Sequence, residues 1–342
     1  MTRRKRTTLS ALAAIAVLGL SACSSGGPSS EEMTASEFYA ANSTISVAGG
    51  HDAGSGFDFY MRAVAASIER VSELSTTVEN IPGGGGLIGD NTIFTGDADG
   101  LTVGLLNYPG HVFAQLTENP SVEFDFAEWE WLGRVASGPP VILVSADSPY
   151  KTAEDLIAAE ETVTFGIEGA GSDAFYGAAL AAKTFGFPGE NVTGYEGTSD
   201  ITTAILRGEV DATFLSYGSA RESIETGEMR ALMIFDTETR EGVEDIPLAV
   251  DFALDADAEE TLTAFGNIYS LERVFVAAPG TPADRVEYLR DILLLVFEDP
   301  EFLAEIEEAG RLTDPLPGAE VESASNGVAE QADVLSELLA GL

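Results

Sequence analysis

The sequence is poor in cysteine, histidine and positive charge. Its 342 residues hold one cysteine, Cys23, and two histidines, His51 and His111. One cysteine excludes an internal disulfide, and a Cys/His catalytic pair or a zinc cluster has too few ligands to draw on. Lysine and arginine number 17 against 57 aspartates and glutamates, a formal net charge of −40. Such a balance excludes a nucleic-acid partner, which needs a basic footprint. The mean field also repels anions, so anion capture here has to rest on short-range local dipoles. The acidity reads as a solvated surface suited to salt, where the Debye length falls to about 3 Å. With so many acids, coincident carboxylate pairs say nothing about glycosidase-type catalysis. No Gly-Lys-Ser/Thr follows the glycine runs, so no Walker loop is present. The sequence predicts no cofactor, no metal site and no enzymatic activity.

What is present begins at the N-terminus. Arg3, Arg4, Lys5 and Arg6 precede an apolar run from Leu9 to Leu20, too short for a membrane span and matching a secretory signal over residues 1–22. Leu20-Ser21-Ala22-Cys23 resembles the bacterial lipobox, which implies lipidation of Cys23 and anchoring on the outer face of the cell membrane. Arg3 and Arg4 raise twin-arginine export, but the hydrophobic pair expected soon after them is absent, and the export route stays open. Residues 23–42 read as a Ser/Gly/Pro tether followed by a short amphipathic lead-in.

The chain is long enough for about two domains. Three corners, each running from strand through glycine into helix, organise it. The first holds Gly54, Ser55, Gly56, Phe57 and Asp58; the second Gly83, Gly84, Gly85 and Gly86; the third Gly169, Gly171, Ser172 and Asp173. Each leaves main-chain N–H groups at a helix start, where the dipole favours a carboxylate. Four successive glycines cost more backbone entropy than a plain connector warrants, so a ligand or another backbone must come close. Asp58 either complements its helix dipole or meets the ligand, and Ser172 either caps its helix or bonds a ligand oxygen. Asn107 closes the apolar strand Leu101 to Leu106, and Ser216 closes Val210 to Leu215. Strand ends of this kind line ligand sites in open α/β sheets. The alternation of strand and helix predicts parallel or mixed sheets. Asp236 to Leu262 reads as acidic and irregular, Ser270 to Ala277 as a strand returning to the first domain, and Val321 to Leu339 as a closing helix.

In their order these motifs resemble the extracytoplasmic receptors of the tripartite tricarboxylate transporter family, also called Bug-type receptors. Ile45 to Arg62 is similar to the family opening, with Gly54, Asp58 and Arg62 in place and Ser55 standing for a glycine. Val78-Glu79-Asn80 with Pro82 to Gly89 is similar to its Val-Glu-Asn-Arg-Pro-Gly-Ala-Gly-Gly segment. Asp99-Gly100-Leu101-Thr102, Tyr195-Glu196-Gly197, Gly208-Glu209-Val210-Asp211, Gly227 to Leu232 and Ala278-Pro279-Gly280-Thr281-Pro282 continue the match. The resemblance spans about Ser43 to Gly310.

It implies a two-lobed type II periplasmic-binding-protein fold, each lobe a mixed β-sheet flanked by helices. Lobe 1 would hold residues 43–138 and 237–342, lobe 2 residues 139–236, with hinges near Ala136 to Pro140 and Phe235 to Thr239. The implied function is capture of a small carboxylated solute and its delivery, by a monomer, to the large and small membrane subunits of a tripartite transporter. The implied contacts are Gly54 to Asp58, Gly83 to Gly86, Gly169 to Ser172 and Ser216, with Asn107, Asp173 and Tyr195 beside them. His51 stands for a usual aromatic, Ile81 for an arginine and Glu196 for a lysine, so two positive charges are missing near the cleft. This favours a monocarboxylate or an amino acid over a polycarboxylate. A receptor of an ATP-driven or TRAP-type system is the alternative reading, and a secreted hydrolase a more distant one. A backbone-lined pocket does not name the solute.

Overall fold

The computed structural model describes residues 33–170, 172–239, 242–330, 336 and 339. The leader, the lipidation site Cys23 and Gly171 lie outside the described residues, as does most of the tether and the end of the closing helix. The first half runs α1 (Ala35–Ala41), β1 (Thr44–Gly49), α2 (Gly56–Val71), β2 (Ser75–Asn80), α3 (Leu87–Phe94), β3 (Thr102–Asn107), α4 (Tyr108–Leu116) and β4 (Glu130–Ala136). The chain then builds β5 (Pro140–Ser145), α5 (Ala153–Ile157), β6 (Val163–Ile167), α6 (Asp173–Phe185), β7 (Gly189–Thr193), α7 (Thr198–Arg207), β8 (Ala212–Ser216), α8 (Tyr217–Glu225) and β9 (Met229–Ile234). It closes with α9 (Ala256–Tyr269), β10 (Arg273–Ala277), α10 (Ala283–Glu298), α11 (Pro300–Glu308), β11 (Leu316–Pro317) and α12 (Gly318–Glu330).

Two mixed sheets result, one per lobe. The first has the order β11-β4-β10-β3-β1-β2 and the second β7-β6-β8-β5-β9. In the first, β1 pairs in parallel with β2 and β3, while β10 runs antiparallel between β3 and β4. In the second, β6 is parallel to β7 and β8, and β5 is antiparallel to β8 and β9. The apolar runs of β3 and β5 are buried on both faces, as their unbroken hydrophobicity requires. The chain leaves the first sheet at Ala136 and returns to it at Arg273, so both crossings lie on one side of the molecule.

Helix starts follow the local chemistry. The Thr34, Ser55, Thr152 and Ser172 hydroxyls cap α1, α2, α5 and α6, and Gly186 and Gly208, both in the left-handed region, stop α6 and α7. One expectation fails. The stretch read as irregular to Leu262 becomes helical from Ala256, where Asp255 caps α9 by accepting the Ala258 N–H at 2.9 Å. Asp257, Glu259 and Glu260 fill its first turns and hide the apolar face formed by Leu262, Phe265, Ile268 and Tyr269. That face matters, because Phe265 joins the lobes. Its ring centroid lies 5.4 Å from Phe113 of α4, 5.8 Å from Phe214 of β8 and 5.5 Å from Phe235. One aromatic core therefore continues through the crossing region.

Candidate functional site

The carboxyl ends of β1, β2 and β3 in the first sheet face the end of β6 in the second. Between them a cavity of about 370 Å³ is lined by Gly84, Gly85, Leu87, Asn119 and Ser121 from one lobe and by Glu168, Gly169 and Ala170 from the other. Glycine corners from both lobes thus share a wall.

The two first-lobe corners are pressed together backbone to backbone. A Cβ on Gly50 would lie 2.2 Å from the Gly86 carbonyl oxygen, and one on Gly89 would lie 2.4 Å from Gly50 Cα. Gly83 through Gly86 all have positive φ, which only glycine adopts four times in succession without strain. Close approach of another backbone accounts for the run. Behind this loop, Trp129 Nε1 donates to His111 Nε2 at 2.7 Å, which leaves the His111 Nδ1 proton for Asp90 Oδ2 at 3.2 Å. Burial pushes the His111 imidazole below its ordinary pKa, with Asp90 opposing, so the ring is held neutral.

Asp58 is committed within its own corner. One carboxylate oxygen accepts the Gly54 N–H at 2.7 Å and Arg62 Nε at 3.0 Å, and the other accepts Asn80 Nδ2 at 3.0 Å. Burial opposes ionisation, but these bonds hold the carboxyl below its usual range. Ser55 caps α2 from the preceding position, accepting the Asp58 N–H. Phe57 stacks on His51 with ring centroids 3.8 Å apart. Burial, reinforced by Arg273, pushes His51 down to about 3.

Two cations that the sequence did not single out flank the start of α2. The Arg273 guanidinium lies 4.7 Å from the Phe57 ring and 5.1 Å from Tyr60, and Arg311 lies 4.8 Å from Phe59, with Nη1 3.0 Å from a Cβ position at Gly56. Arg273 is 5% exposed, and its Nε has no hydrogen-bond partner. Its Nη1 pairs with buried Glu272 at 2.5 Å. Burial and nearby Asp173, against the pull of Arg273 and Ser216, raise Glu272 to about 7. Glu272 also fills the space beside the crossing, where a Cβ on Gly138 would collide with its carboxylate. The only hint of this pair in the sequence is two opposite charges opening an otherwise apolar strand.

The second-lobe corner is arranged differently. Ser172 caps α6, accepting the Phe175 N–H at 3.3 Å and donating to the Gly169 carbonyl at 2.8 Å. Asp173 accepts Asn107 Nδ2 from the opposite lobe at 2.9 Å, and Tyr269 donates to its carbonyl at 3.2 Å. Its carboxylate also takes its own N–H and that of Ala174. Glu168, also missed from sequence although it directly precedes Gly169, is reached by water but walled by protein. That enclosure, with Asp173 and Asp52 beside it, raises its carboxyl to about 7. Ser216 sits deeper, its hydroxyl 3.1 Å from Ser219 and bonded to Glu272. Tyr195 is half-buried, packed into the core of the second lobe near Gly166.

Two lobes joined on one side, with a polar pocket between strand ends, define a solute-binding receptor of the periplasmic-binding-protein type. The sequence pattern of the tripartite tricarboxylate transporter family receptor matches residues 60–311, and the chain belongs to that family. It is a solute-binding receptor and not an enzyme. A UPF0065 protein of Pseudomonas sp. (strain P51) is 26% identical over 263 residues, 75% of this chain and 74% of its own. The fold is shared with the Rhodopseudomonas palustris protein Rpa4515 with adipate, at TM-score 0.70 and 17% identity over 86% of this chain and 97% of that one. MatC of the same organism, with bound malate, gives a TM-score of 0.69 and 17% identity over 86% and 98%.

Proposed function

We propose that the chain is a lipid-anchored receptor that takes a small carboxylate-bearing solute into the interlobe cavity and delivers it to the two membrane subunits of a tripartite transporter. The observation that carries this reading is the cavity of about 370 Å³ walled by glycine corners of both lobes. That volume suits a solute of roughly the size of malate or adipate, the ligands named for two structural neighbours. The carboxylate end faces the start of α2, where the helix dipole, Arg273 and Arg311 supply the positive potential that the chain as a whole lacks. Each charge-assisted hydrogen bond there contributes about 1.5 to 3 kcal/mol, so three or four sustain micromolar affinity after association costs.

Lobe 1 comprises residues 43–138 and 237–342 and lobe 2 residues 139–236, and the lobes close about the two crossings as the solute enters. The glycine corners line the path of the solute, while Asp58 and Ser172 hold the loops in shape. The monomer stands off the outer face of the membrane on its lipidated Cys23. A thermal-shift screen of carboxylates against their neutral amides tests the central reading. Stabilisation by acids alone supports it, and stabilisation by neither class, or by the amides equally, overturns it. Replacing Cys23 with alanine moves the protein from the membrane to the soluble fraction if the anchor is as stated. A gene pair for one large and one small multi-span protein beside this one supports the transporter, and an ATPase gene counts against it.

A further inference from the structure

The two walls of the cavity carry opposite charge. On the first lobe, Arg273 and Arg311 flank the start of α2. On the second, the start of α6 would also attract an anion, but Asp173 already occupies it, taking its own N–H and that of Ala174. Glu168 stands beside it in the cavity wall, and Asp52 from the first lobe is close enough to raise the Glu168 carboxyl further. A second carboxylate on the solute would therefore meet negative charge with no open helix start to receive it. Independently of these acids, Asn107 is 9% exposed, holds Asp173 through Nδ2, and leaves its buried Oδ1 without a hydrogen-bond partner. An unpaired acceptor costs desolvation energy until a donor reaches it. On the first-lobe side the unpaired group is a donor, Arg273 Nε. An acceptor without a donor beside the acids and a donor without an acceptor beside the arginines together outline a dipolar ligand.

We infer that the solute is an amino-carboxylate, held by its carboxylate at Arg273 and the start of α2 and by its ammonium group between Glu168, Asp173 and Asn107 Oδ1. This inference rests on the carboxylate reading given above. It makes Glu168 and Asp173 the residues that select against dicarboxylates of the same length.

Calorimetry on the folded chain tests it, with succinate, glutarate and adipate titrated beside the ω-amino carboxylates of matching length, 4-aminobutyrate, 5-aminovalerate and 6-aminohexanoate. The expected result is at least one amino-carboxylate binding about tenfold or more tighter than its dicarboxylate partner, since losing one charge-assisted contact costs that much or more. In Glu168→Gln, on a water-exposed loop position that leaves the fold intact, the preference falls below about threefold and the dicarboxylate gains affinity. Asp173→Asn, which keeps the shape of the helix start, shifts the ratio in the same direction. Tighter binding of dicarboxylates to the parent chain, or an unchanged ratio in both variants, overturns the amino-carboxylate inference and leaves the carboxylate receptor standing. Absence of binding by every compound in both series overturns the two together.

Discussion

The glycine corners of the two lobes look alike in sequence and differ in what their glycines do. In the first lobe Gly50, Gly86 and Gly89 touch backbone to backbone, and a methyl group on Gly50 or Gly89 would overlap main-chain atoms. In the second lobe a Cβ on Gly169 meets nothing within 4 Å. The first-lobe loops are consequently rigid walls whose glycines are demanded by packing. The second-lobe loop leaves room at Gly169, and its chemistry comes from the neighbouring Glu168 and Asp173. A glycine-rich turn before a helix is thus two different devices, and only the packed environment tells them apart.

The sharpest way to break this comparison is to add one methyl group to each lobe. Gly50→Ala forces a Cβ against the Gly86 carbonyl at 2.2 Å and is expected to cost about 3 kcal/mol or more, or to prevent folding, as read from urea unfolding. A loss under about 1 kcal/mol would mean that the loops separate freely. Asp58→Ala comes next. It strips partners from the Gly54 N–H, Asn80 and Arg62, and destabilises the chain by about 2 to 3 kcal/mol at neutral pH. Because the folded pKa of Asp58 is lowered, its contribution is present above the ordinary carboxylate value and disappears as pH falls through the lowered one.

Glu272 gives the opposite sign. Its folded pKa of about 7 exceeds the ordinary 4.5, so the folded chain binds more protons in that interval and stability declines as pH rises through it. Glu272→Gln should flatten that decline between about pH 5 and pH 7.5, and an unchanged slope would remove Glu272 as its source. The smallest effect is expected for Gly169→Ala, within about 0.5 kcal/mol of the parent chain, because the added methyl faces open space.

Much of the fold was legible because its signals are local. Buried strands read as apolar runs, as in β3 and β5, and the hydroxyls of Ser55 and Ser172 announced their helices. The failure at α9 has the same cause turned round. A helix whose first turns are acidic shows its apolar face late, and its reason for existing, the ring cluster around Phe265, is made of residues distant in sequence. Residues of the candidate site were legible where glycine marked a strand end, as at Gly84, Gly85 and Gly169. Arg273, Glu272 and Glu168 were not, since a single charged residue in a chain with 57 acids gains meaning only from the groups folded around it. The sequence also showed positive charge missing at Ile81 and Glu196, whereas Arg273 and Arg311 bring charge to the start of α2 from the far end of the chain.

The central claim is that the solute sits between the lobes, and Gly169→Trp addresses it directly. An indole at this open position projects from the cavity wall without displacing a packed neighbour. Calorimetric titration of parent and variant with malate, adipate and 5-aminovalerate, at matched melting temperature, should show the parent's tightest binder losing about 100-fold or more in affinity. Affinity retained within about threefold would place the solute elsewhere and contradict the account.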